Sequence, residues 1–121
     1  MEKISLNVAP TEHTLASLEA LGTTLRLVLT TRSADRGQRT ATIWFDVMGA
    51  YSCERTAIVV CGYDPKTDRT AEDVYYGICD GTPHEMLLEK VDEWREYRRV
   101  LAANAAQALH HAEAVCAAAG I

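Results

Sequence analysis

Apolar and polar residues alternate along several short segments of this chain, which is typical of β-strands. The alternation runs through residues 3–8, 24–32, 39–48 and 72–80, and residues 56–63 are apolar at almost every position. A strand that is apolar on both faces is expected in the middle of a sheet. A polar connection between the second and third of these segments predicts a hairpin. Together, the segments predict an antiparallel meander sheet of four to five strands.

Residues 11–22 have a helical pattern instead. Leu15, Leu18 and Leu21 are spaced three residues apart and would share one face of a helix. Thr11 precedes them as a capping residue, and a glycine follows them, as is usual at the two ends of a helix. The segment therefore predicts a short N-terminal helix.

A second helical segment begins after Thr82. Proline follows at the first helical position, and Glu85 stands three residues after the cap, which is the spacing of a capping box. Strong helix formers then continue without proline or glycine until Gly120, so the sequence predicts one long helix over 83–119. Such a helix is about 54 Å long, whereas a domain of this size is roughly 35 Å across. The helix must therefore protrude, pack on something else, or break. Residues 104–107 have a second capping-box spacing, which would suit a break. We expect the helix to be continuous.

Length and composition agree with one folded unit. The chain has 121 residues, of which 48% are hydrophobic and 24% are charged, so it can bury a core and is not expected to be disordered. We therefore expect a single α+β domain over residues 1–121. Its element order would be β-α-β-β-β-β-α, with a short N-terminal helix and one long C-terminal helix.

Apolar residues recur along the long helix in alternating steps of four and three, which is a heptad seam. The first half of the seam is large and suits packing against the sheet of the same chain. The second half is rich in alanine and suits the close approach of another helix, which predicts a homodimer. The alternative is that the whole seam packs on the sheet. The predicted dimer interface consists of Leu101, Ala105, Ala108, Ala112 and Val115.

Negative charge is concentrated in the second half of the chain. The net charge is −5, and residues 64–96 hold ten acidic side chains against four basic ones. This balance argues against direct binding of nucleic acid. A stripe of acids on the long helix and two aspartates in the preceding loop predict a docking surface for a protein partner with a basic surface, although the same acids would suit an ordinary solvated face. The predicted partner-binding residues are Asp64, Asp68, Glu85, Glu89, Asp92 and Glu96.

Known catalytic and metal motifs fail at specific positions. His84-Glu85 begins a zincin motif, but position 88 is leucine. The chain also has no P-loop, no dinucleotide fingerprint and no nucleophile elbow. His110, Glu113 and Cys116 lie along one edge of the predicted helix, yet three mixed ligands rarely close a zinc site. We therefore expect no metal, no cofactor and no catalytic residue, although Cys53 is the thiol whose surroundings look least buried.

The four cysteines show no CxxC pair, and the chain begins without the pattern of a signal peptide. No apolar run approaches the roughly 18 residues of a membrane span. These features predict reduced cysteines, a cytoplasmic location and no membrane contact.

The leading hypothesis is a non-catalytic, dimeric binding module that occludes a partner through its acidic helix face and the 64–80 loop. The chain resembles, in size and charge, phage or mobile-element inhibitors of nucleic-acid machinery such as anti-CRISPR proteins. The alternative is a small enzyme or ligand-binding domain with a site between sheet and helix. A closed pocket containing Cys53, or a histidine beside a carboxylate, would favour the alternative. A flat acidic face would favour docking.

Overall fold

The computed structural model describes residues 12–33, 39–100 and 106–121. Four strands form one antiparallel sheet in the order β1-β2-β3-β4, so that each strand pairs with its neighbour in the chain. Three helices follow the sheet. The expected α+β fold with an antiparallel meander sheet is confirmed. The elements are β1 (Glu12–Ala20), β2 (Thr23–Ser33), β3 (Arg39–Met48), β4 (Cys53–Tyr63), α1 (Ala71–Ile78), α2 (Pro83–Val100) and α3 (Ala106–Ala118).

The helices pack on one face of the sheet, here called the inner face. Alternate residues of β2 and β3 point into this face, as the strand pattern predicts. Full burial of one such leucine or isoleucine stabilises the fold by about 1.5–3 kcal/mol. The first half of the helix seam packs here as expected, since Leu87, Val91 and Trp94 are all buried. The core also includes Leu25, Leu27, Leu29, Ala41, Ile43, Val74, Tyr75 and Val115.

The helix predicted over 11–22 is wrong, because this segment forms β1. The register against β2 passes from Thr14 opposite Val28 to Ala16 opposite Leu27, so Leu15 is the extra residue of a β-bulge. The bulge leaves Leu15 and Leu18 three residues apart while both belong to the core side. A spacing of three residues between core positions is also expected on one face of a helix, so the sequence pattern was misleading here. The strand predicted over 3–8 lies outside the described residues.

A two-residue turn joins β1 to β2. Both of its residues have positive φ, with 52° at Leu21 and 72° at Gly22. Positive φ at both positions is the conformation of a type I′ turn, whose twist matches that of the flanking strands. Glycine suits this conformation, whereas leucine does not.

The strand predicted over 72–80 is also wrong, because these residues form α1. The side chain of Thr70 accepts a hydrogen bond from the backbone N–H of Asp73, and the Asp73 side chain accepts one from the backbone of Thr70. This capping box starts the helix. One consequence is that β4 is an edge strand of the sheet rather than the central strand its apolar sequence suggests.

The prediction of one continuous helix over 83–119 is wrong as well. Arg95 Nη1 in α2 donates a hydrogen bond to the backbone oxygen of Ile121 at 3.5 Å, and Arg99 Nη2 lies 3.3 Å from Glu113 Oε1 in α3. On a continuous helix, Arg95 and Ile121 would be about 39 Å apart. The chain therefore reverses, so that α3 packs against α2 and β1.

Both edge strands of the sheet carry a bulge. In β4 the register passes from Ile43 opposite Val59 to Trp44 opposite Ala57, which leaves Ile58 as the extra residue. In β1 the extra residue is Leu15. A bulge interrupts the regular row of hydrogen-bonding groups that an edge strand would otherwise offer to another chain.

Candidate functional site

A groove lies between α2 and the β3–β4 half of the sheet. It exists because α2 contacts β1 and β2, and leaves much of β4 exposed. Its volume is about 430 Å³, within the range of small-molecule sites. Phe45, Val47 and Ile58 line it from the sheet, and Trp94 and Tyr97 line it from the helix. The lining is therefore mainly apolar and aromatic.

Each of the three charged side chains that line the groove, Glu54, Lys90 and Glu93, is held in an ion pair. Lys90 Nζ lies 3.1 Å from Glu93 Oε2 on the helix wall. Arg98 Nη2 lies 2.6 Å from Glu54 Oε2 and so links α2 to β4. An ion pair between partly exposed groups contributes little to stability, about 0–1 kcal/mol. These pairs neutralise the charge of the walls.

A second, smaller hollow of about 260 Å³ adjoins the groove, and both are lined by Val47, Glu54 and Trp94. The hollow also brings together Cys53 and His111, which are far apart in the sequence. Cys53 is exposed, as the sequence suggests, and His111 Nε2 lies 3.3 Å from the Thr23 hydroxyl. A cysteine, a histidine and a carboxylate thus share one open surface rather than a closed pocket.

Trp94 stands where the groove and the hollow meet. Trp94 is 7% exposed, and its indole Nε1 has no hydrogen-bond partner among the described residues. A buried donor without a partner costs about 1–3 kcal/mol. The sequence places Trp94 in the helix seam, but nothing in the seam pattern indicates an unsatisfied N–H.

The predicted acidic helix face is neutralised in its second half. Asp92 Oδ1 lies 2.9 Å from Arg95 Nη2, and Glu96 Oε2 lies 3.1 Å from Arg99 Nη1. In the first half, Glu85 and Glu89 are exposed and have no ion-pair partner within the described part of the chain. The uncompensated charge of this helix is therefore concentrated near its N-terminus.

The two loop aspartates of the predicted surface shape the chain before α1. Asp64 Oδ1 accepts a hydrogen bond from the backbone N–H of Lys66 at 2.9 Å. Asp68 Oδ2 accepts one from the backbone N–H of Asp64 at 3.3 Å. Such bonds are common where aspartate stabilises a turn, so both side chains have a local structural role.

Two of the five residues of the predicted dimer interface are covered in this structure. Ala112 and Val115 are fully buried within the single chain. For these two residues the expectation of a partner helix is corrected, because α2 and the sheet already cover them. The side chains of Leu101, Ala105 and Ala108 lie outside the described residues.

The histidine–glutamate–cysteine edge near the C-terminus does not converge. His110 is exposed, Glu113 pairs with Arg99, and Cys116 is fully buried. Burial raises the pKa of the Cys116 thiol, which keeps it protonated at neutral pH. Among residues 12–33, 39–100 and 106–121, no cluster of three histidine, cysteine, aspartate or glutamate side chains is placed to hold a metal ion.

A separate charged cluster, not anticipated from the sequence, lies on the outer face of the sheet, opposite the helices. It takes one residue from each strand: Glu12, Arg26, Asp46 and Arg55. Arg26 is opposite Asp46, and Asp46 is opposite Arg55. Burial alone would raise the pKa of Asp46, but hydrogen bonds from Arg55 and Arg26 lower it below its usual value. Each of the four residues lies at a polar position of its strand, which the sequence shows. Without the strand order, the sequence does not show that the four residues lie side by side.

Comparison of the chain with protein families, curated proteins and solved structures finds no match. Within the described helices, none combines the length and apolar character needed to cross a membrane.

Proposed function

We propose that the protein is a non-catalytic binding domain that takes an apolar or aromatic group of a small ligand in the groove between α2 and β4. The observation that carries this proposal is the aromatic and aliphatic lining of a groove of about 430 Å³. Sites of this kind hold most of a ligand by apolar contact and orient it by a few polar groups. Glu54 and Lys90 supply polar groups at the walls.

Binding is favoured over catalysis because the polar groups of the site are engaged with one another. A general acid or base must be free to exchange its proton with the substrate, whereas the three charged groups of the groove, Glu54, Lys90 and Glu93, are held in ion pairs. A nucleophilic cysteine needs its base within about 2.6–3.2 Å. In the part of the chain that the structure describes, no hydrogen bond joins Cys53 to His111, whose Nε2 contacts Thr23 instead.

Trp94 provides the test, because the chain has two tryptophans and the other lies on the outer face. The Trp44→Phe variant leaves Trp94 as the reporter. We expect the aromatic probe 8-anilinonaphthalene-1-sulfonate to bind this variant and to quench Trp94 emission. Thr56 is exposed and lines the groove, so Thr56→Phe should fill the groove and weaken binding.

Val60→Phe is the matched control, since Val60 lies on the same strand, is 60% exposed and does not line the groove. It should bind the probe as the parent protein does. Equal binding by Thr56→Phe and the parent, with an unchanged circular dichroism spectrum, would contradict the proposal.

A second proposal concerns docking, and it is favoured by Glu85 and Glu89, which are exposed and have no ion-pair partner among the residues that the structure describes. These acids would attract a partner with a basic surface, such as a protein that grips nucleic acid, and would block that surface. We expect the double variant Glu85→Gln/Glu89→Gln to lose a partner captured from the native cell. Asp92→Gln/Glu96→Gln is the control that should retain it, because arginines already neutralise those acids. Equal retention by both double variants would exclude this face.

A further inference from the structure

Asp46 fixes the two arginines of the outer face. Arg26 Nε donates to Asp46 Oδ2 at 2.9 Å, while Arg55 Nε and Nη2 donate to Oδ1 and Oδ2 at 2.8 Å each. Asp46 is fully buried, and the Arg55 guanidinium lies 5.4 Å from the centre of the Trp44 ring. Trp44 is itself held by a hydrogen bond from Nε1 to the Thr30 hydroxyl at 2.7 Å. Both guanidinium groups are therefore positioned by the protein.

Glu12 occupies the place that a bound oxyanion would take between these arginines. Its Oε1 accepts a hydrogen bond from Arg55 Nη2 at 2.6 Å, and its Oε2 lies 3.6 Å from Arg26 Nη2. Proteins commonly recognise carboxylate and phosphate groups by placing guanidinium groups around them. The Glu12 side chain is 47% exposed, in contrast to the buried Asp46. Glu12 is thus the exchangeable member of the cluster.

The contact between Glu12 and Arg55 spans the whole sheet. The two residues lie on opposite edge strands, β1 and β4, which are separated by three strand spacings of about 4.8 Å. Arg55 Nη2 and Glu12 Oε1 meet at 2.6 Å, so the two long side chains together reach across the outer face of the sheet.

We propose that Arg26 and Arg55 form a binding site for a phosphate monoester group, which Glu12 fills when no ligand is bound. The two arginines and Asp46 have a net charge of +1, which Glu12 balances. A phosphate monoester carries a charge of about −1.5 to −2 and three acceptor oxygens, so it offers more charge than the carboxylate it replaces. Bonds to Asp46 and Glu12 use three of the five N–H donors of Arg55, and leave its other terminal nitrogen for a further oxygen.

The ligand is a small phosphorylated molecule rather than a nucleic acid. The chain has a net charge of −5, which opposes the approach of a polyanion. A phosphodiester group also carries only one negative charge. It therefore attracts the two arginines no more strongly than the carboxylate of Glu12, which is already held beside them by the chain. The proposal does not depend on the groove.

The test compares phosphate binding by Glu12→Gln and the parent protein at low ionic strength. Glutamine keeps the size of the side chain and removes the competing charge, so we expect inorganic phosphate and phenyl phosphate to bind at least about threefold more tightly. Isothermal titration calorimetry measures both affinities. Arg55→Gln should lose binding, and Arg99→Gln, which alters a remote arginine on α2, should bind as the parent does.

A purely structural cluster gives the opposite result. In that case Glu12→Gln lowers the melting temperature and leaves phosphate affinity unchanged, which would overturn the proposal. Equal loss in Arg99→Gln and Arg55→Gln, or tighter binding of acetate or of a single-stranded oligonucleotide than of phosphate, would overturn it too. Should Arg55→Gln fail to fold, the comparison of Glu12→Gln with the parent decides alone.

Discussion

Trp94 connects the hydrophobic core to the groove. Its ring belongs to the core with Leu87 and Val91, and it also lines the groove and the adjoining hollow. Its indole N–H finds no acceptor among the described residues. The side chain therefore combines a large favourable burial with an unfavourable buried donor, and the two contributions can be separated by substitution.

We expect Trp94→Phe to change the free energy of unfolding by less than about 1 kcal/mol, because it removes the unsatisfied N–H together with part of the ring. Trp94→Ala should lose about 3–5 kcal/mol, because it leaves a cavity in the core. Urea denaturation of both variants measures the difference. Similar losses in the two variants would mean that the N–H has an acceptor after all.

Asp46 makes stability depend on pH in the acidic range. Its pKa in the folded protein lies below the usual value of 3.8, so its contribution is complete above that value and is lost as the pH falls through the folded pKa. Asp46→Asn should lose about 3–5 kcal/mol at neutral pH, since it leaves two arginines without their common partner. Unfolding free energies between pH 7 and pH 3 should fall less steeply for this variant than for the parent. Parallel pH profiles would contradict the assignment.

The β1–β2 turn is the connection with the clearest local strain. Leu21 has a φ of 52° and is 65% exposed, so it gains little from burial. Leu21→Asn would create Asn-Gly, the pair that type I′ turns favour. We expect a gain of about 0.4–1 kcal/mol, measured by thermal and urea unfolding. Leu21→Ala is the control, because it removes the exposed side chain without suiting positive φ; an equal gain from alanine would assign the effect to solubility instead.

Local patterns predicted β2, β3 and the start of α2 because each rule applied without interruption there. The hydroxyl of Thr82 does accept a hydrogen bond from the Glu85 N–H at 3.1 Å, as the capping sequence predicts. The prediction failed where the local pattern resembled that of another kind of element. The extra residue Leu15 gave β1 a helical spacing, and in α1 the alternation of Val74, Tyr76 and Ile78 hid a helix whose capping box begins at Thr70.

The candidate sites were less predictable than the elements because they depend on strand order and helix placement. Val47, Glu54 and Trp94 meet in the groove from three different elements. The outer cluster needs Arg26, Asp46 and Arg55 to be aligned across three strands. No spacing along a single sequence encodes either alignment, whereas the exposure of Cys53 followed from its polar neighbours and was predicted.

At the level of the complete fold, α3 closes the core. It contributes Ala112, Val115 and Cys116, which are all fully buried, and it packs against both α2 and β1. Tyr75 connects the other end of the helical layer, since its hydroxyl donates to the Thr82 backbone oxygen at 2.9 Å, and burial raises its pKa to about 12. The helices therefore act as one layer over the sheet.

A chain that ends at residue 105 should lose this closure. We expect it to unfold without a sharp transition and to bind 8-anilinonaphthalene-1-sulfonate more strongly, because burying Val115 alone is worth about 1.5–3 kcal/mol. Calorimetry and probe fluorescence measure the two effects. The surface variant Glu113→Gln serves as the control, since its exposed ion pair with Arg99 should be worth less than about 1 kcal/mol. A cooperative transition in the shortened chain would show that α3 is dispensable.

The meander has a consequence for synthesis on the ribosome. Among the described residues the four strands precede the three helices, and each strand pairs with its immediate neighbour, so the sheet can assemble as soon as Tyr63 has emerged. Its inner face, which includes Leu25, Leu27 and Leu29, then has none of the described helices to cover it until the last two-fifths of the chain is translated. During that interval the nascent protein presents an apolar sheet to the cell, and a stop codon or a slow codon in the helical region would prolong this exposure.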